Sequence, residues 1–483
     1  MFVVVLAGVL VALAWHSRSW PLGANVVVQH YIAWLIGQGF TPYRDVFDPN
    51  VPGVWLVHGV ALAVVGPGDI GWRVWDLSWL GVTAITLYRY CRPLASRWSA
   101  AAAALLFALY HVAGAERHAG ERDFFVCLPL LLGALGVAGW CEREAGGVPA
   151  AVAGGIALGF AATIKPTAVL FATGCVAAVA LGSRSRGRRL GGVVALGAGM
   201  AVVPLSIVGW LAWRGGLAPF VAIVTDYTLP IFSATGRNRL WRFFKSYWLT
   251  LAPVVVIALA LGPPRERRVR WALAVFGLAY GVLHVVLQFK GTWYHFHPFA
   301  LFMCLLAAPA VAPRALDRAR AWTARRVPVA LVLLAATAVL MALRDGTPFA
   351  DDRVAAERAQ RVAAVVRDLE PRLRGGDTVQ VLDVVEGGGA LALLRLRVHP
   401  ANRFINDEPL FLAAHDPRLD RLRAEFIASL TSRPPAAVVV FPRRWRHQGY
   451  ARLREFPELV RLLAEHYTRA VARDDYEIYV RRP

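Results

Sequence analysis

The chain predicts a polytopic α-helical membrane protein that ends in a soluble α/β domain, and three observations predict it. Hydrophobic residues make up 57% of the 483 residues. Apolar runs of membrane-compatible length recur with charged loops between them, and the composition changes sharply after Arg344. Residues 1–343 are therefore expected to form the membrane part and residues 344–483 a soluble extracytoplasmic part.

The apolar segments fall near 1–15, 52–66, 72–90, 98–112, 124–140, 148–164, 166–182, 190–213, 247–262, 271–289, 296–312 and 327–343, roughly twelve in all. The first lacks the basic leader and small-residue cleavage site of a signal peptide, so it is expected to be a retained span, short enough to suspect a missing upstream start. Segment 52–66 reaches only about 22 Å as a helix against a bilayer core of about 30 Å, which favours a tilted or partly embedded element there. It also eases a parity conflict, because Arg89, Arg92 and Arg97 ask for the cytoplasm.

The net charge of +21 does not imply nucleic acid, because the arginines cluster in short loops rather than along one soluble face. By the positive-inside rule Ser183 to Arg189, Pro263 to Arg270 and Pro313 to Arg326 are cytoplasmic. Loops 16–51, 111–123, 213–246 and 290–297, with everything after 343, then face the other side. The five cysteines lie in or beside apolar segments without metal-ligand spacing, so neither a disulfide framework nor a zinc site follows.

The tail reads as alternating elements: a helix from Asp352 to Leu373, a strand at Thr378 to Asp383, a helix from Pro417 to Leu430, a buried strand at Ala436 to Phe441, a helix from Arg454 to His466 and a hairpin from Thr468 to Val480. This is a small α/β pattern. Glu386 to Gly389 follows a strand but lacks the lysine and spacing of a phosphate loop.

The densest chemistry stands in the loop from Gly39 to Gly53. Asp45 and Asp48 are three residues apart, and Pro42, Pro49 and Pro52 preset φ and oppose a continuous helix, so both acids sit on a stiff turn just outside the membrane. Tyr43, Arg44 and Asn50 flank them. Paired carboxylates can raise one pKa toward useful basicity, whereas turn capping alone accounts for one of them. Asp45 is the expected general base, with Asp48 as its orienting partner or a metal ligand.

A second cluster joins Glu116, Arg117, His118, Glu121, Arg122 and Asp123. Charge at a membrane margin is expensive unless paired or functional. Arg117 or Arg122 can hold a phosphate bidentately, and Glu121 or Asp123 can position a sugar or a divalent cation; a structural ion-pair network is the alternative. Lys290, Tyr294, His295 and His297 flank another outer loop. On a helix the two histidines point about 200° apart, which favours a phosphate contact over a shared metal, against an aromatic belt anchored by Trp293 and Tyr294. Arg237, Arg239, Arg242 and Lys245 read as a basic amphipathic segment, and Lys165 before Pro166 as a lysine that snorkels to an interface.

These motifs, in order and sidedness, resemble the integral membrane glycosyltransferases of the GT-C fold, such as the protein O-mannosyltransferases and the lipid A aminoarabinose transferase. The resemblance rests on the helix Asn25 to Gly37 leading into the Pro42 to Asn50 loop, on Gly66 to Asp76, His118 to Phe124, Gly159 to Pro166 and Gly291 to Pro298, and on the exported tail. It implies transfer of a sugar from a polyprenyl-phosphate-linked donor to a glycan, lipid or protein acceptor at the outer face of the inner membrane. The sequence itself requires no cofactor and leaves room for a divalent cation, and its loop-clustered arginines point to no nucleic-acid partner. One departure stands out: many relatives carry an acid where the outer loop enters its first helix, and Gly23 to Val28 contains none. A transporter or flippase of lipid-linked glycans and a catalytically inactive scaffold are the competing classes, although the span pattern shows no inverted repeat.

Overall fold

The computed structural model describes residues 2–143, 147–183, 185–234, 267–288, 292–310, 348–383, 385, 387–411, 416–442 and 449–483. The helices in chain order are α1 (Phe2–His16), α2 (Ala24–Gly37), α3 (Gly53–Val65), α4 (Asp69–Cys91), α5 (Arg97–Ala113), α6 (Arg122–Phe125), α7 (Cys127–Glu142), α8 (Val148–Ile164), α9 (Ala168–Gly182), α10 (Arg186–Arg214) and α11 (Leu217–Ile223). They continue with α12 (Arg268–Gln288), α13 (His297–Ala310), α14 (Pro348–Leu369), α15 (Gly389–Leu396), α16 (Glu408–Phe411), α17 (Pro417–Ser432) and α18 (Pro457–His466). Local chemistry sets several ends. Ser96 and Ser185 accept from backbone N–H groups at the starts of α5 and α10, and Gly215 closes α10 at φ 71 in the left-handed region.

Among the described residues, Arg122–Glu142, Arg186–Arg214 and Arg268–Gln288 are long and apolar enough to cross a membrane. Gly53–Val65 and Asp69–Cys91 pass the same test together but are bent by 117° at their junction, so the short segment near 52–66 and its successor form a broken element. Shorter apolar helices cover Val3–His16, Val148–Ile164, Ala168–Gly182, Leu217–Thr228 and Trp293–Ala308. The segments expected at 247–262 and 327–343, the basic run Arg237 to Lys245 and the loop Pro313 to Arg326 lie outside the described residues.

Helices α8 and α10 approach until their backbones touch, and the sequence permits this with small residues. A Cβ on Gly155 would meet the Leu196 carbonyl, and one on Gly159 the Met200 carbonyl. Close approach through glycine is the usual way apolar helices pack when lipid removes the hydrophobic gain between them. The opposite face of α10 leaves Leu190, Val194, Val202 and Leu205 exposed, as lipid contact requires.

The tail builds a five-stranded sheet from β1 (Thr378–Leu382), β2 (His399–Pro400), β3 (Ala437–Val440), β4 (Tyr467–Ala472) and β5 (Glu477–Arg481), in the order β2-β1-β3-β5-β4. β1 pairs in parallel with β2 and β3, while β5 pairs antiparallel with β3 and β4. β3 is buried at all four positions, which explains its unbroken Ala-Val-Val-Val run. Helix α15 and strand β2 were not expected; both lie in a stretch too short for a periodicity to show.

Segment 16–51 rests on this tail. The Tyr31 hydroxyl donates to the Val398 carbonyl at 2.6 Å, the Phe47 N–H to the Arg403 carbonyl at 2.7 Å, and Phe47 stacks on Phe404 at 5.3 Å. Arg395 pairs with Asp69 at 2.8 Å, and the buried Arg358 pairs with Glu116. Surfaces that touch lie on one side of any bilayer the spans cross.

The α8–α10 contact has a direct test. Gly159→Leu is expected to force the two backbones apart and to lower stability by about 1–3 kcal/mol, seen as a lower apparent unfolding temperature of the detergent-solubilised protein. An unchanged transition would show that the helices do not meet at Gly159.

Candidate functional site

The buried carboxylate of Asp76 organises the loop that carries the charged cluster. It pairs with Arg73, which also donates to Ser17 Oγ at 2.7 Å, and it accepts from His111 at 3.1 Å and from the Gly120 N–H at 2.8 Å. His111 lies 3.1 Å from His297, whose other ring nitrogen donates to the Tyr294 carbonyl at 2.8 Å. The end of α1, helices α4, α5 and α13, and the turn before Glu121 are thereby tied to one charge.

Beside that turn opens a cleft of about 620 Å³. From segment 16–51 it is lined by Gln29, Asp48 and Asn50, from the loop before α7 by Glu121 and Arg122, and by Lys165 between α8 and α9. Tyr294, His295 and Gln288 complete its wall, and Val385, Asn406 and Glu408 reach it from the tail. A smaller cavity of about 400 Å³ adjoins it, lined by Gly23, Glu116, Arg117, Trp293, Arg358 and Arg361. Asn25, Glu121, Thr292 and Tyr294 line both.

The two aspartates of the first loop part company. Asp45 is half-buried, receives the Thr41 N–H at 2.8 Å and pairs with the exposed Arg44 at 2.9 Å; it is not among the residues that line the cleft. Burial pushes its carboxyl up, but the Arg44 guanidinium and the Thr41 N–H outweigh this and hold it below the usual carboxylate range. Asp48 is buried, lines the cleft and accepts from Gln29 at 3.0 Å and from the Asn50 N–H at 2.7 Å. Gln29 is fixed in turn by the Trp55 indole N–H at 2.8 Å. Burial raises the Asp48 carboxyl above its ordinary value despite the Asn50 N–H and the nearby Arg122. Tyr43, at φ 64, is buried beneath this turn and donates to the Asn50 carbonyl at 2.7 Å.

Arg122 donates to the Asn50 side chain, and no carboxylate among the described residues stands within ion-pair distance of it, so guanidinium N–H groups remain for a ligand. Glu121 touches the Asn25 amide at 3.4 Å, and burial lifts its carboxyl to about 8 against the pull of Arg122. Arg117 faces the smaller cavity. Asp123 does not line the cleft; it stands behind it, 2.9 Å from Lys165 and 2.6 Å from His284. Lys165 also donates to Gln288 at 2.6 Å, and burial brings its ammonium down to about 8 although Asp123 works to raise it. The snorkelling expected of Lys165 is therefore corrected: it is buried and ion-paired at the cleft wall. Its position was legible as an ionisable residue between apolar runs, which is a functional signal by default.

His295 lines the cleft while His297 is spent on His111 and Tyr294, so the two do not converge. Lys290 lies outside the described residues. Among the described residues no group of three or more His, Cys, Asp or Glu is placed to hold a metal ion. The glycine-rich turn after β1 forms a nest that its own chain fills, because Asp383 accepts from the N–H groups of Val385, Gly387 and Gly389 at 3.1, 2.9 and 2.9 Å. A carboxylate already sits where an anion would bind. Gln29, Lys165, His284 and Gln288 went unnoticed as a group because they come from three separate segments.

No protein-family model matches the chain, and no curated protein matches it in sequence. Among solved structures, ArnT from Cupriavidus metallidurans bound to undecaprenyl phosphate is similar over 99% of this chain and 97% of its own, with a TM-score of 0.63 at 13% identity. Its apo state gives 0.62 over the same 99% and 97%, also at 13% identity. The archaeal oligosaccharyltransferase AglB from Archaeoglobus fulgidus, in complex with an inhibitory peptide and a dolichol-phosphate, matches 100% of this chain and 74% of its own, with a TM-score of 0.51 at 13% identity. The chain has the GT-C fold.

The Lys165–Asp123 pair carries the next prediction. Asp123→Asn leaves a buried ammonium without its counter-charge, which is expected to destabilise the protein by about 3–5 kcal/mol. The apparent unfolding temperature in detergent reads this, and a transition equal to wild type would mean that Lys165 does not depend on Asp123.

Proposed function

We propose that the protein is an integral membrane glycosyltransferase that moves a sugar from a polyprenyl-phosphate-linked donor to a glycan, lipid or protein acceptor on the extracytoplasmic side of the plasma membrane. The observation that carries this reading is the cleft itself: a buried carboxylate, Asp48, shares one wall with the cations Arg122 and Lys165 at the edge of apolar helices. The GT-C fold supports it, since solved structures with that fold hold undecaprenyl phosphate and dolichol-phosphate.

Each part of the chemistry has a residue. Arg122 presents unspent N–H groups to the donor phosphate, and Lys165 adds a second positive charge to the same wall. Asp48 is the base that takes the acceptor proton. It is chosen over Asp45 because it lines the cleft and because burial raises its basicity, whereas Asp45 is bound to Arg44 and Thr41 in the turn. Gln29 and the Asn50 N–H fix its oxygens. Tyr294 and His295 supply sugar contacts, and the tail closes the cleft through Asn406 and Glu408.

The decisive assay is sugar transfer from a polyprenyl-phosphate-linked donor by the purified protein, with donor binding measured in parallel. Asp48→Asn is expected to slow transfer about 10²–10⁴-fold, or roughly 3–5 kcal/mol in the barrier, with the donor still bound. Asp45→Asn is expected to keep the rate within its wild-type order. The reverse pattern would return the base to Asp45. Wild type that carries lipid-linked sugar across vesicles without transferring it would be a transporter.

Sidedness follows from the basic loops. Cysteines introduced at the exposed Arg44 and Gly375 are expected to react with a membrane-impermeant reagent from outside intact cells stripped of their outer layer, and one at the exposed Arg186 is not. Labelling only at Arg186 would invert the proposed orientation.

A further inference from the structure

Glu121 is the carboxylate that faces both cavities, and nothing in the mechanism above uses it. It is 6% exposed, and its neighbours are the Asn25 amide at 3.4 Å, the Tyr294 ring, the Arg122 guanidinium, the Asp123 carboxylate and the Lys165 ammonium. Glu116 and Arg117 face the same smaller cavity. No cation among the described residues lies within ion-pair distance of Glu121, because Lys165 is committed to Asp123 and Arg122 to Asn50. Asp48 differs: a backbone N–H and a side-chain amide donate to its two oxygens, contacts that favour an ionised carboxylate.

Two acids in one cleft, one held by donors and one nearly bare, are the arrangement that divides base from acid. We propose that Glu121 is the proton donor to the departing phosphate, acting as the acid partner of Asp48. The inference rests on the polyprenyl-phosphate reading of the cleft. A phosphate held by Arg122 comes to rest beside the preceding residue, and its negative charge selects the neutral form of Glu121. Burial already lifts that carboxyl to about 8, so the neutral acid dominates at pH 7 and is lost as the pH rises through that value.

The step balances. The acceptor oxygen bonds to the anomeric carbon while its proton passes to the Asp48 carboxylate. The bond from the anomeric carbon to the phosphate oxygen breaks, its electron pair stays on that oxygen, and the oxygen takes the proton of Glu121. Polyprenyl phosphate leaves singly protonated, Asp48 is neutral and Glu121 ionised, and proton exchange with water in the open cleft restores both.

The test uses the full chain in detergent and reads two quantities against pH. Binding of farnesyl phosphate to wild type is expected to weaken as the pH rises through about 8, where Glu121 and Lys165 both lose a proton, while Glu121→Gln is expected to keep only the shallower part of that step that Lys165 contributes. In the transfer assay, kcat of wild type is expected to fall about tenfold per pH unit on the alkaline side. Glu121→Gln is expected to lose about 10²–10⁴-fold in kcat with little change in donor KM and to lack the alkaline limb, and Glu121→Asp to retain that limb at lower kcat. Wild-type binding without an alkaline step, or Glu121→Gln with full kcat, overturns the assignment. If Glu121→Gln fails to fold, the Glu121→Asp limb decides. Absence of transfer by wild type with any lipid-linked sugar overturns the glycosyltransferase reading instead, and the difference in binding step between wild type and Glu121→Gln still reports the proton on Glu121.

Discussion

The buried ion pair of Asp76 with Arg73 is the constraint on which the arrangement of the site depends. A carboxylate removed from water must collect enough donors to offset its lost hydration. Asp76 collects them from four directions: Arg73 on its own helix, His111 on α5, the Gly120 N–H in the second outer loop and, through His111, His297 at the start of α13. Gly120 takes φ +72 there, and Trp72 packs where a side chain on it would stand. The next two residues are Glu121 and Arg122. Their positions are thus set by a charge that does not itself line the cleft, an ordinary division of labour between supporting and reacting groups.

A second buried pair acts in the same way. Lys165 ends α8 and reaches Asp123 on α6 and Gln288 at the end of α12, while His284 on α12 holds the other Asp123 oxygen. Three helix ends converge on one carboxylate. The cleft between the two networks is lined by charged groups although apolar helices surround it, the setting in which ionisable groups beside apolar spans persist. The tail then closes the remaining side, and Val385, at φ 138, is a β-branched residue in a backbone region it rarely occupies, positioned on that wall.

What the sequence made legible followed the range of each interaction. The tail strands at Thr378 to Leu382 and Ala437 to Val440 and the hairpin near its end were readable because alternation and unbroken valine runs are local signals. So was the stiff proline turn around Asp45 and Asp48. Which of the two acids faces the cleft was not, because the answer lies in Arg44 turning outward and Gln29, nineteen residues earlier, turning in. Lys165 looked like a snorkelling side chain for the same reason: its partners, Asp123 and Gln288, are far away in the chain. Helices α8 and α9 hid this site best, since their composition is merely apolar and only their ends carry chemistry.

Gly23 to Val28, at the start of α2, lacks the acid that the resemblance to the GT-C enzymes leads one to expect there, and by sequence alone this kept a catalytically inactive scaffold among the competing readings. The geometry gives the gap a different meaning. Asn25, near the start of α2, points its amide at Glu121, which comes from the following outer loop and fills the same corner of the cleft with a carboxylate. A site assembled from loops over a fixed helical frame can exchange the segment that supplies a charge while keeping the charge in place, because the cleft responds to where a carboxylate sits and how it is solvated, not to its position in the chain. Asp76 accepts from the Gly120 N–H and so fixes the loop that carries Glu121 beside the start of α2.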